Sequence, residues 1–183
     1  MDRMLAWEEL NLRVESPSLL RHCLAVEAIM HRLAIHLEED PVLWAIAGLL
    51  HDIDAERVRQ EPEQKGIMAA EILRNLEADP AIIHAVEASV PGTKKPRRRA
   101  IDKALVLADA AADLILGAAL EHPEKRLRVL SVALLLKRHE ANRISCPKKR
   151  EALEACTDLG LSREQIYTLA LEAMTGIGDA LGL

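Results

Sequence analysis

Aromatic side chains are nearly missing from this chain: 183 residues hold two Trp, one Tyr and no Phe, 2% in all. With apolar residues at 50%, a core must be assembled from Leu, Ala, Ile and Val, and the length is enough for one domain with its own core. Sustained apolar–polar alternation is also lacking, which argues against half-buried strands. Ala and Leu lead the helix-propensity ranking, so the chain is expected to be all-α. A basic excess is missing too. The net charge is −5, whereas a basic surface is the usual footprint of nucleic-acid binding. The single basic run, Lys94-Lys95-Pro96-Arg97-Arg98-Arg99, carries no interleaved aromatics and supports such contact poorly. No apolar run approaches the roughly 20 residues that span a bilayer, and no apolar signal core follows Met1-Asp2-Arg3-Met4. Three Cys without CxxC spacing read as reduced thiols. A cytoplasmic protein without a membrane partner is expected.

What is present is helical punctuation. Apolar spacing predicts helices over 2–14 and 18–38, the second capped by Ser16 or Ser18. Asp40-Pro41 and Asp79-Pro80 each pair a capping Asp with Pro at the first helical position. They predict a helix reaching His51-Asp52 and a short one over 80–89. Further helices are expected over 63–77, 99–120, 124–140 and 147–160. Ser162-Arg163-Glu164-Gln165 reads as a capping box opening a last helix, 163–181.

His51 and Asp52 stand adjacent at the end of Ala47-Gly48-Leu49-Leu50. Successive helical residues point about 100° apart. One metal ion can still take both if it sits over the helix end and other segments complete the set. His22, in Leu20-Arg21-His22-Cys23-Leu24, and Asp109, in Leu105-Val106-Leu107-Ala108-Asp109-Ala110, are the candidates. A carboxylate in so apolar a stretch must face solvent or find a partner. Two imidazoles and two carboxylates suit Mn, Fe, Co, Ni or Zn better than Ca, with Mg also a candidate for one divalent ion. The other histidines (His31, His36, His84, His122, His139) fall in polar stretches or near helix ends and read as surface residues.

His–(His-Asp)–Asp in that order resembles the HD superfamily of metal-dependent phosphohydrolases. The likeness includes Leu20 to Met30, Leu43 to Asp54, and the C-terminal stretch from Leu159 through Met174. It is similar to a group of small prokaryotic HD hydrolases over nearly the whole chain. The resemblance implies a single HD-domain helical bundle over 1–183, its metal motifs within 18–120 and the helices of 124–183 packing on the same core. It also implies hydrolysis of a phosphoester of a small molecule such as a nucleotide, with His22, His51, Asp52 and Asp109 as ligands. Asp54 and Glu56 are then candidate bases, or groups that orient the attacking water. Arg57, Lys65, Lys94 and Lys95 are candidate phosphate binders, with Arg97–Arg99 beside them. Two departures from the pattern appear: Lys65 and Ser89 stand where second-metal histidines are expected. They imply no more than one ion. The competing class is an HD domain that keeps the bundle but serves in ligand binding or protein interaction.

Overall fold

Prolines preceded by a capping side chain start three of the long helices in the computed structural model, which describes residues 1–144 and 146–183. Ser16 caps α2 (Pro17–His36) through the Leu19 N–H. Asp40 caps α3 (Pro41–Leu50), its Oδ1 accepting from Val42 N and Leu43 N at 2.9 and 3.0 Å. Asp79 caps α5 (Pro80–Ser89), accepting from Ala81 N at 2.7 Å. In each case the side chain serves orphan N–H groups and proline occupies a position that needs no donor. The chain opens with α1 (Arg3–Asn11). Between α3 and α5 lies α4 (Ile67–Asn75). Then follow α6 (Ala100–Glu121), α7 (Val132–Glu140), α8 (Pro147–Glu154), α9 (Arg163–Gly176) and the single turn α10 (Gly178–Leu181). Among the described residues there is no strand, and no helix is long and apolar enough to cross a membrane.

The fold is thus all-α, as the composition implies. Several boundaries differ from the pattern-based reading: the first helix ends at Asn11 and the last is interrupted at Ile177. The helix expected from 63 begins at Ile67, because Gly66 adopts φ 80°, a left-handed conformation that precedes the helix. The helix expected from 124 begins at Val132, where Ser131 supplies the cap. The stretch 147–160 divides into α8 and a 3₁₀ segment, Ala155–Leu159. The capping box at Ser162 and Gln165 forms as expected.

Helix α3 is apolar on all sides, and every residue from Trp44 to Leu50 is buried. A helix of that kind belongs at the centre of a bundle. It packs against α2 more extensively than any other helix pair in the fold. Gly48 makes this possible: a Cβ there would stand 2.8 Å from the Val26 carbonyl oxygen and 3.0 Å from Glu27 backbone atoms. Against this pair lies α6, which buries seven alanines: Ala104, Ala108, Ala110, Ala111, Ala112, Ala118 and Ala119. Most of the buried apolar residues form one cluster reaching from Ala6 to Leu181. Tyr167 and Trp44 are its aromatic members.

Two histidines read as surface residues are not. His139 is fully buried, its Nδ1 2.6 Å from the Tyr167 hydroxyl. Burial pushes its pKa down. His84 is partly buried, its Nδ1 3.1 Å from Asp102 Oδ1. Asp102 in turn accepts from Arg98 N and Arg99 N, both at 3.0 Å, closing the N-terminus of α6.

Candidate metal centre

The tight α2–α3 crossing brings the His22 and His51 rings to 5.2 Å between centroids. His51 follows the last residue of α3, where helix carbonyls lack intrahelical donors. Its Nδ1 lies 2.8 Å from the Gly48 carbonyl and, as donor there, leaves Nε2 with a free lone pair. That Nε2 is buried without a hydrogen-bond partner. It faces Asp52 Oδ2 at 3.6 Å and Asp109 Oδ1 at 3.8 Å. His22, from α2, places Nε2 2.9 Å from Asp109 Oδ1 and Nδ1 3.3 Å from Asp113 Oδ1. Helix α6 carries both carboxylates, one turn apart on one face.

Two subsets of these donors, sharing His22, could each hold an ion. Ligand atoms about 2.0–2.3 Å from a common centre lie about 3–4.5 Å from each other. His22, His51 and Asp52 each offer an atom within 4.8 Å of the others, and so do His22, Asp109 and Asp113. A lone pair on His51 Nε2 aimed at two carboxylate oxygens is a repulsive arrangement that a cation between them would relieve. Each imidazole is also anchored through Nδ1, on Asp113 or on a backbone carbonyl, as metal-ligating histidines are.

Two lysines complete the charge pattern. Lys65 Nζ lies 2.9 Å from Asp52 Oδ1. Lys149 Nζ lies 3.0 Å from Asp109 Oδ1 and pairs with Asp113 as well. Burial pushes the Asp52 carboxyl up, but His51 and Lys65 outweigh it and hold it below the ordinary range. Asp109 is likewise lowered: burial opposes, while the His22 hydrogen bond and the His51 and Lys149 charges prevail. Both lysines are raised, the carboxylates outweighing burial. A cavity of about 590 Å³ opens on the cluster, lined by His51, Asp52, Lys65, Arg97, Asp109 and Lys149 among others.

The remaining residues suggested by sequence lie apart. Asp54, a candidate base, is fully buried, and its Oδ2 accepts from Gly66 N at 2.7 Å and Ala69 N at 3.0 Å. It caps α4 and does not line the cavity. Glu56 accepts from Glu15 N and Ser16 N at 3.0 and 2.9 Å, fastening the turn before α2. Arg57 is exposed, Lys94 occupies an exposed left-handed turn, and Lys95 pairs with Glu87 at 3.1 Å. None of the three lines the cavity; Lys65 does. The basic loop folds back along α5, and Arg97 reaches the cavity while its Nε donates to the Ala88 carbonyl at 3.1 Å. Asp113, Lys148 and Lys149 escaped the sequence reading. Asp113 had a signal, standing four residues after Asp109 on the same apolar helix. Lys149, on a later helix, had none.

An all-α bundle with histidines and aspartates gathered at a helix end defines a family-level class. The chain belongs to the HD domain family, whose family model matches residues 19–145. It is also 30% identical over 123 residues to Ribonuclease Y of Lawsonia intracellularis (strain PHE/MN1-00). That match covers 67% of this chain and 22% of the relative, so the chain spans about a fifth of that protein's length. No solved structure matches it.

Proposed function

We propose that this protein is a metal-dependent phosphohydrolase, working as one domain over residues 1–183. It hydrolyses a phosphoester of a small molecule such as a nucleotide through a mononuclear centre of His22, His51, Asp52 and Asp109. The observation that carries the reading is the buried, unpartnered His51 Nε2 aimed at Asp52 and Asp109. Membership of the HD family supports it, and so does a relative whose name is that of a ribonuclease.

His22, His51, Asp52 and Asp109 would hold a divalent ion, which would supply Lewis acidity and activate a water for attack. His22 and His51 would present Nε2 to the ion, each imidazole held by its Nδ1 contact. Asp52 turns Oδ2 toward His51 Nε2, where it would hold the ion, and gives Oδ1 to Lys65; its lowered pKa suits a ligand rather than a base. Lys65 and Arg97 face the cavity and receive phosphate oxygens. Asp54 and Glu56 serve α4 and the turn before α2, which leaves them structural.

The second reading, a non-enzymatic HD domain, draws on Lys65 and Lys149. Both ammonium groups already neutralise carboxylates of the cluster, so the bundle closes without an ion. A screen of phosphoesters over Mn, Co, Ni and Mg separates the two readings. Hydrolysis is expected, with about one equivalent of metal per chain by elemental analysis. Asp52→Ala should abolish it and leave the helical circular dichroism intact. Inactivity with every metal would favour the non-enzymatic reading, and full activity in Asp52→Ala would move the site elsewhere.

A further inference from the structure

Helix α8 lies beyond residues 19–145, the segment matched by the family model, yet it builds one wall of the cavity. From its first turn Lys149 reaches across to Asp109 Oδ1 at 3.0 Å and to Asp113. Its side chain is 23% exposed, shielded enough for its charge to act strongly. Lys148 precedes it on the same wall and is exposed. Lys65 approaches Asp52 from the α4 side, and Arg97 stands on the rim.

The lining alone carries one more cation than carboxylate, and with Asp113, which lies off it, the charges balance. Lys65, Arg97, Lys148 and Lys149 stand against Asp52, Asp109 and Glu151 on its lining, with Asp113 beside His22. Four cations therefore meet four carboxylates. An ion at the histidines adds a surplus of two positive charges. A phosphate monoester carries close to two negative charges above its second pKa, near 6, while a diester carries one. Asp109 Oδ1 is also the atom that an ion and Lys149 both require. An ion that takes this oxygen would displace the ammonium from Asp109, leaving Lys149 on Asp113 with N–H donors available to an anion in the same cavity.

We propose that Lys149 is a phosphate-binding residue of this centre, exchanging Asp109 for substrate phosphate when the ion binds, and that the site thereby selects phosphate monoesters over diesters. The inference rests on the metal-centre reading above. It gives Lys149 two effects of opposite sign: it competes with the ion for Asp109, and it attracts the phosphate. A residue that merely props up the fold would shift both affinities the same way.

The test uses the full chain, Lys149→Gln and Lys149→Arg, with circular dichroism confirming helicity. Calorimetry with Mn²⁺ alone is followed by titration of the Mn²⁺-loaded proteins with methyl phosphate and with dimethyl phosphate. Lys149→Gln should bind Mn²⁺ about tenfold more tightly and methyl phosphate about tenfold more weakly, each a change of about 1.4 kcal/mol. Lys149→Arg should keep methyl phosphate binding, and wild type should favour methyl phosphate over dimethyl phosphate by about tenfold or more. Loss of both affinities together in Lys149→Gln, an unchanged methyl phosphate affinity, or equal binding of the diester would overturn the inference. If metal uptake and hydrolysis persist in such a case, the phosphohydrolase reading stands and this one alone fails. Wild-type protein that takes up no Mn²⁺ overturns both. Opposite shifts in an enzyme that hydrolyses nothing would support this inference and remove only the activity.

Discussion

Replacing Gly48 by Ala sets helix propensity against helix packing, with opposite predictions. Propensity favours the change: an interior glycine costs a helix roughly 0.5–1 kcal/mol relative to alanine. Packing opposes it. The new Cβ would stand 2.8 Å from Val26 O and 3.0 Å from Glu27 N and Cα. These are backbone atoms of α2 and cannot swing aside as a flexible side chain would. Restoring ordinary contact, about 3.5 Å, requires α2 and α3 to part by roughly 0.5–0.7 Å. That parting loosens the most extensive helix pair of the core. Overpacking of this kind costs typically about 1–3 kcal/mol, so Gly48→Ala should be destabilising by about 1–2 kcal/mol net. For a chain of this size that lowers Tm by about 2–8 °C. The same seam holds His22 on one side and His51, resting on the Gly48 carbonyl, on the other. Its opening should also weaken Mn²⁺ binding, by about tenfold or more. Thermal unfolding followed by circular dichroism, with metal titration of the folded variant, reads both effects. A Tm equal to or above wild type would mean that the seam yields and that propensity decides, and the reasoning would fail.

Asp54→Ala should lower stability by about 1–2 kcal/mol, through loss of the α4 cap, and leave the turnover of the folded enzyme unchanged; a collapse of kcat at constant stability would return Asp54 to the chemistry. The Asp102 carboxyl is held below its ordinary range, because the hydrogen bonds from Arg99, His84 and Arg98 together outweigh burial, which pushes it up. Its contribution to stability is therefore fully present above the unfolded pKa, about 3.9, and is lost as pH falls through the lower folded value. Asp102→Asn should flatten the acid limb of a Tm–pH curve below about pH 4, and an unchanged acid slope would count against this account.

The helices that sequence located well are those whose caps lie next to their first turn. Asp40-Pro41 and Asp79-Pro80 act over three residues, and both helices begin there. Helix α4 takes its cap from Asp54, twelve residues before Gly66, across a turn whose path no local pattern records. The same distinction governs the centre. His22, His51, Asp52 and Asp109 stand out because polar groups interrupt apolar helices, a contradiction visible in the chain itself. Lys149 meets Asp109 only because α8 folds across α6, and a lysine in a polar helix contradicts nothing. His139 misleads for the opposite reason: its burial is made acceptable by Tyr167, far along the chain.

The alanines of α6 reverse the usual direction of mutational damage. In cores built on large rings, truncation is the injury, because removed carbon leaves a void. Here much of the buried face of α6 already presents the smallest side chain that carries a Cβ, and those methyl groups lie within the core cluster. At these seven positions little carbon remains to be taken away, while an added branch must push against the packed neighbours. Drift at the alanines of α6 is thus limited chiefly from the side of larger residues. Because α6 also carries Asp109, an inserted methyl group several turns from the cavity would be felt as a shift in the aim of that carboxylate.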